Sequence, residues 1–299
     1  MLDVCLLGCG GSMPVPNRYL TSLLVSYKGR KILIDCGEGT QVSMKIVGSG
    51  FKSIDAILIT HFHADHIAGL PGILLTIANS GREEPIYIVG PPGLKNVVEG
   101  LLTIVGGLPY ELRLIEGPNS DIEISDFKIK TLPLEHTVPC LAYSLYIRRR
   151  PKFDAEKAKE RNIPIQLWGR LQNGESVILE GREYKPQMVL GEERKGIKLC
   201  YATDSRPVFS LASFAKDSDI FICEGMYGDI DALEKAVKNK HMLFSEAAFL
   251  AKEGKVDRLW LTHFSPSLLE PEKYIENAKN IFENTQIGED RKVISLKFK

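Results

Sequence analysis

The stretch Asp55-Ala56-Ile57-Leu58-Ile59-Thr60-His61-Phe62-His63-Ala64-Asp65-His66 decides how this chain is read, because an apolar run of strand character ends in four metal-capable side chains within six residues. In extended backbone, residues i and i+2 share a face, so His61 and His63 can chelate one ion. Asp65 and His66 fall where the chain turns into a helix, whose N-terminal partial positive charge favours a carboxylate, and they can face a second ion. Zinc takes imidazole nitrogen and carboxylate oxygen at about 2.0–2.2 Å, and a catalytic ion keeps one position open. Two ions need more ligands than this loop supplies. Of the six histidines, the other three are His136, His241 and His263, each at the end of an apolar strand-like run or the start of a helix-like one. Asp204 ends the run Cys200-Tyr201-Ala202-Thr203 and suits a bridging place. The expected sets are His61, His63, His136 and Asp204 on one ion, and Asp65, His66, His263 and Asp204 on the other. An aspartate at 204 can alternatively cap a helix beginning near Pro207. Asp35 is expected to orient a histidine by accepting its other N–H.

The bulk properties narrow the class. A chain of 299 residues is long for one domain, but α/β units reach this size with insertions. Lysine plus arginine equals aspartate plus glutamate, 38 against 38, so a polyanionic partner must be met by a local patch and not by a global field. Six cysteines without a C-x-x-C pair fit buried thiols in a reducing compartment better than disulfides. The N-terminal apolar run meets glycines after seven residues, too short for a secretory core, and no run approaches the roughly 20 residues of a membrane span. A soluble cytoplasmic protein, with no membrane partner, is the expectation.

Apolar, β-branched runs at 2–7, 22–26, 31–35, 56–60, 86–89, 127–132, 142–147, 198–202, 220–223, 258–261 and 293–296 read as strands. Stretches 69–78, 93–105, 207–215, 229–238, 245–253 and 271–283 read as helices. Early strands follow one another through tight turns and later ones alternate with helices, which points to a mixed α/β sandwich. Thr60-His61-Phe62 is echoed by Thr262-His263-Phe264, each closing a strand-like run, as two related halves would. Residues 148–195 break the rhythm. Between 148 and 161 they carry seven basic residues against three acidic ones, a net of +4, and read as an inserted surface arm.

On these residues the chain resembles the metallo-β-lactamase fold superfamily of metal hydrolases, marked by H-x-H-x-D-H, a separate His, a bridging Asp and a final His. Several stretches resemble, within it, the ribonuclease Z family: Gly37-Glu38-Gly39-Thr40-Gln41, Asp65-His66-Ile67-Ala68-Gly69-Leu70-Pro71-Gly72, Tyr201-Ala202-Thr203-Asp204-Ser205-Arg206-Pro207, and His241, read as opening a helix with Ser245-Glu246-Ala247-Ala248. The resemblance implies a four-layer αββα sandwich, one catalytic domain over 1–299 with 148–195 as its arm, and two Zn2+ per subunit, Mn2+ or Fe2+ being acceptable to the same donors. It implies an endonuclease that removes 3′ trailers from precursor tRNA. Asp65 would orient the attacking water and take its proton. His241, paired with Glu224, would protonate the leaving 3′-oxygen. The arm would hold tRNA through Arg148, Arg149, Arg150, Lys152, Trp168 and Arg170, in a homodimer where one subunit's arm serves the other's site. Family arms carry a Gly-Pro pair where this chain has Ile165-Gln166, and loop 14–18 lacks the lysine usual there. The competing readings are another hydrolase of the same fold, acting on small phosphodiesters, thioesters or lactones, and a non-catalytic RNA-binding protein. An iron redox enzyme fits less well, since Ala64 stands where flavin-linked relatives present an acidic ligand.

Overall fold

The computed structural model describes residues 1–118 and 121–299. The apolar runs form β1 (Leu2–Gly8), β2 (Ser22–Tyr27), β3 (Arg30–Ile34), β4 (Ile54–Leu58), β5 (Ile86–Gly90), β6 (Leu112–Glu116), β7 (Ile122–Ile124) and β8 (Phe127–Leu134). They continue as β9 (Cys140–Arg149), β10 (Val177–Leu179), β11 (Arg182–Tyr184), β12 (Arg194–Ala202), β13 (Ile220–Glu224), β14 (Leu259–Thr262), β15 (Thr285–Ile287) and β16 (Lys292–Leu296). Two compact units result, one of Met1–Ile147 with Ile197–Lys297, the other of Arg148–Gly196 with Phe298–Lys299.

One sheet runs β16-β1-β2-β3-β4-β5-β6, the other β15-β14-β13-β12-β9-β8-β7. Strands β3 to β6 are parallel, as are β12 to β15, while β16-β1-β2-β3 and β7-β8-β9 are antiparallel. Each sheet therefore has a parallel half, and β4 and β14, whose ends carry the two Thr-His-Phe phrases, occupy inner places in those halves. Strand β4 is buried at all five positions. Its odd-numbered Ile57 joins Leu33, Leu24 and Ile88 in an apolar cluster with Ile73, Leu74 and Ile77 of the helix Leu70–Asn79 and Leu94 and Val98 of the helix Leu94–Leu102. Its neighbours Ala56 and Leu58 are equally buried but belong to the opposite face. A sheet covered on both faces needs continuous rather than alternating apolar runs, which is the pattern these strands carry.

Three expected elements differ. Residues 229–238 form a 3-10 turn, Ile230–Ala232, and only then the helix Leu233–Asn239. Residues 271–283 do not form one helix but a 3-10 turn, Pro271–Tyr274, followed by the short helix Glu276–Lys279. The helix expected to open at His241 begins at Phe244, with Leu243 as its N-cap, so His241 lies in the loop after the helix Leu233–Asn239.

The smaller unit has its own apolar cluster of Ala158, Ile163, Leu167, Leu171, Val177, Tyr184 and Val189. The helices Ala155–Glu160 and Ile165–Gln172 and the β10–β11 hairpin supply it, and the Asp154 carboxylate caps the first helix by accepting from Lys157 N at 3.0 Å.

Candidate metal centre

Every ligand expected from the sequence arrives beyond the C-terminal end of a strand, Asp65 and His66 in the short helix Ala64–Ile67 and the others in the connecting loops. After β4 the Asp35 carboxylate takes the Thr60 N–H at 2.8 Å, and Leu141 N donates to Thr60 O at 2.9 Å, so the chain entering the histidines is gripped from two sides. Asp35, Asp204 and His263 all have left-handed backbones, with φ of 58°, 39° and 58°. For such residues this costs of order 1–3 kcal/mol each, strain that a packed surrounding sustains and that concentrates at functional sites. Gly11 makes the room for His263: a Cβ there would stand 2.6 Å from the ring's Cε1.

The donor atoms fall into two sets joined by one carboxylate. In the first, His61 Nε2 and His63 Nδ1 are 3.0 Å apart, His136 Nε2 is 3.3 Å from His63 Nδ1, and Asp204 Oδ2 is 3.7 Å from the Nε2 atoms of both His61 and His136. In the second, His66 Nε2 and His263 Nε2 are 3.1 Å apart, Asp65 Oδ2 lies 3.3 Å from each, and Asp204 Oδ1 lies 3.2 and 3.1 Å from them. Four ligands at about 2.0–2.1 Å around a tetrahedral ion stand about 3.3 Å from one another, which these separations bracket. A second observation favours a cation at this place. Asp204 Oδ1 is buried and makes no hydrogen bond among the described residues, although two ring nitrogens are within 3.2 Å. Atoms so close yet misaligned for hydrogen bonding are arranged as ligands around a shared centre. The residues therefore fit divalent metal. Asp204 is not a helix cap, since the following helix, Phe209–Ala215, takes Val208 as its N-cap.

Electrostatics divide the histidines. Burial holds His61 well below its ordinary pKa, with the neighbouring His66 adding to the effect, and burial also lowers His136. For His66 burial is overridden by Asp204 and Asp35, which raise it. Asp65 is buried against its charge, but hydrogen bonds from His263 and His66 outweigh this and hold its carboxyl well below the usual carboxylate range. The Ser12 N–H adds a donor to Asp65 Oδ2 at 2.6 Å.

His241 adjoins both sets and forms, with Asp204 and His263, a third trio of possible ligand atoms; its ring centroid is 5.4 Å from His136 and 5.7 Å from His263. Its Nδ1 meets Glu224 Oε2 at 3.1 Å, and Glu224, fully buried at the end of β13, uses Oε1 to accept from Ser205 N at 2.5 Å. Burial disfavours a charged ring, yet the Glu224 carboxylate prevails and His241 is raised to about 9. The other ring nitrogen stays available, so this pair can deliver a proton beside the metal ligands.

The arm candidates are paired within their own unit. Arg148 bonds Glu193, Arg149 bonds the Lys299 carbonyl and stacks near Phe298, Arg150 Nη1 donates to Asn173 Oδ1 at 2.9 Å, and Arg170 Nε to Glu175 Oε2 at 2.9 Å. Trp168 packs against the unit's apolar cluster and gives its indole N–H to Ile163 O at 3.0 Å, while Lys152 is exposed. The sequence reading missed Thr60, Ser12, and the bidentate pair of Arg206 with Glu246. Arg206 Nη1 also donates to His241 O at 2.5 Å, and Glu246 accepts from Leu243 N at 2.9 Å. Arg206 and Glu246 lay within the quoted motif stretches, but only folding makes them partners.

Known proteins carry the same architecture. A family model described as Anti-Pycsar protein Apyc1 matches residues 2–167, a segment that ends before Asp204, Glu224, His241 and His263. Among solved structures, the metallo-β-lactamase fold protein YhfI from Bacillus subtilis aligns over 98% of both chains with a TM-score of 0.70 and 20% identity. Human tRNase Z, short form, aligns over 99% of both chains with a TM-score of 0.69 and 24% identity. Both share this chain's fold. Full-length relatives go further: proteins named Ribonuclease Z are 59% identical in Clostridium kluyveri, over 100% of both chains, and 58% identical in Clostridium acetobutylicum, over 100% of this chain and 99% of that one. With two mixed sheets, paired His/Asp ligand sets and relatives of this closeness over its whole length, the chain belongs to the ribonuclease Z family of metallo-β-lactamase-fold hydrolases.

Proposed function

We propose that the chain is an endoribonuclease that cuts precursor tRNA beyond its mature 3′ end, leaving a 3′-hydroxyl on the tRNA and a 5′-phosphate on the trailer, with two Zn2+ ions in the paired ligand sets. The observation that carries this is the His241–Glu224 pair, 3.1 Å apart and set beside the two ligand sets. A ribose 3′-oxygen is a poor leaving group and needs a proton as its bond to phosphorus breaks. A thiolate leaving group needs no such donor.

His61, His63, His136 and Asp204 would hold one ion and Asp65, His66, His263 and Asp204 the other. When bound, two ions activate water and offset charge developing at phosphorus. The chain's own residues supply the rest. Asp65, fixed by the Ser12 N–H at 2.6 Å, would orient the attacking water and accept its proton. Glu224 pins His241 through Nδ1, which leaves Nε2 to carry a proton to the leaving oxygen. Burial of both partners keeps bulk water from competing for that proton.

The same reading assigns tRNA holding to arm 148–195, places the enzyme in the cytoplasm and takes it as a homodimer. Among the described residues no helix is long and apolar enough to cross a membrane. Phosphate contacts to the arm would make tRNA affinity fall with salt. The test is to give zinc-loaded protein a precursor tRNA, a generic aryl phosphodiester and a thioester in parallel. The expected result is tRNA with a 3′-hydroxyl and a 5′-phosphorylated trailer. Turnover of the thioester or the small diester with the precursor left intact would replace this reading by that of a small-molecule hydrolase.

A further inference from the structure

Each metal-binding imidazole turns one nitrogen to the ligand cluster, and the fate of the other nitrogen differs from ring to ring. His66 Nδ1 donates to Asp35 Oδ2 at 2.8 Å, and His136 Nδ1 faces Lys240 O at 3.3 Å. His61 Nδ1 has no carboxylate or carbonyl. Its nearest partners are the Thr60 hydroxyl at 3.1 Å and the Cys140 thiol at 3.8 Å. With Nε2 aimed at His63 and Asp204, the proton of a neutral His61 sits on Nδ1 and points at Thr60 Oγ1. A hydroxyl that accepts one proton still has its own to give, and Thr60 Oγ1 stands 3.0 and 2.9 Å from the two oxygens of Asp35. It also stands 3.3 Å from His66 Nδ1.

We infer that Thr60 is a positioning residue, relaying the hold of one buried carboxylate, Asp35, to a ligand in each metal set: directly to His66 and through the hydroxyl to His61. Asp35 and Thr60 are both wholly buried, so water cannot substitute for either. A carboxylate behind a ligating histidine fixes the ring's tautomer and orientation and strengthens it as a donor, and removing such a partner typically weakens metal binding 10–100-fold. Routing the hold through a hydroxyl lets one anion serve two rings. Two separate buried carboxylates would each require compensation. The short reach of threonine and its place between the strand end and His61 make the arrangement possible, because Asp35 Oδ1 also takes the Thr60 N–H and locks the residue's backbone.

The inference rests on the two-ion reading, and its test uses zinc alone on the full chain. Zinc binding is measured by competition with a chromophoric chelator for wild type, Thr60→Val, Thr60→Ser and Asp35→Asn, alongside the melting temperature of each protein stripped of metal. Valine keeps the shape of threonine and removes the relay, together with the acceptor that Thr203 Oγ1 meets at 3.4 Å. Expected are two zinc ions on wild type, one of them bound roughly 10–100-fold more weakly in Thr60→Val. Thr60→Ser should restore that affinity, and Asp35→Asn should weaken both ions. With Co2+ as probe, the visible absorption of one site should change in Thr60→Val and return in Thr60→Ser. Wild-type affinity for both ions in Thr60→Val, or failure of serine to rescue it, would overturn the relay while leaving the metal centre intact. A wild-type chain that takes up no zinc would remove the metal reading and the relay together.

Discussion

The two Thr-His-Phe corners look alike in sequence and are built on different physics. At the first, Thr60 Oγ1 is surrounded by Asp35, His61, His66 and Thr203, and polar bonds hold the histidines. At the second, Thr262 Oγ1 and His263 Nδ1 are buried without a hydrogen-bond partner among the described residues. His263 is held by shape: Gly11 lies against its ring, and Phe264 packs 5.8 Å from Phe244 with the Arg18 guanidinium over its face. The backbone completes the grip, with Phe264 N donating to Cys9 O at 2.9 Å and Gly11 N to Phe264 O at 3.0 Å. A repeated phrase thus marks two equivalent places on two sheets, while the neighbours brought in by the fold decide whether a corner is fixed electrostatically or sterically.

The contrast can be broken in order of severity. His241 belongs to neither corner, so His241→Ala should cut turnover by about 10²–10⁴-fold while zinc content stays at the wild-type value. Lost zinc would make His241 a ligand, and unchanged turnover would take it out of the mechanism. A smaller effect is expected where shape does the holding. Gly11→Ala forces a methyl into the His263 ring and should cost about 1–3 kcal/mol in denaturant unfolding, with weaker binding of one zinc ion. If unfolding and zinc titration both match wild type, the steric account of the second corner fails. The mildest change sharpens the comparison directly. Thr262→Val replaces an unpartnered buried hydroxyl by a methyl group and should leave zinc affinity unaltered while raising stability by up to about 1 kcal/mol. Destabilisation in this variant comparable to that of a core cavity would show that Thr262 has a partner of consequence.

The strands nearest the site were readable because burial on both faces imposes long apolar runs, and eleven such runs all coincide with strands. The omissions share a cause. Strand β6 alternates leucine with arginine at a sheet edge, its burial incomplete at every position, and β7, β10, β11 and β15 have three residues each, too short for a periodic signal. The 271–283 stretch carried apolar residues at helical spacing. Its first turn is nonetheless 3-10, and Gly228, which would meet Tyr274 at 2.5 Å if it had a Cβ, shows how closely that turn is packed.

Local chemistry alone determined the ligand loop. His61, His63, Asp65 and His66 are neighbours in the chain, and strand and helix geometry fix which way adjacent side chains face. His136, Asp204 and His263 could be nominated because each closes an apolar run, and strand ends are where a sheet delivers side chains to a common edge. Asp35 could be nominated as the partner of a histidine, and the structure seats it on His66, but the rest of what those residues rest on was decided by tertiary structure. The Asp35–Thr60 bond, the Gly11 contact with His263 and the Arg206–Glu246 brace behind His241 join residues 25 to 252 positions apart. Hydrogen-bond partners and steric neighbours at such separations leave no periodicity in a sequence, so two identical tripeptides became distinguishable only once their surroundings were in place.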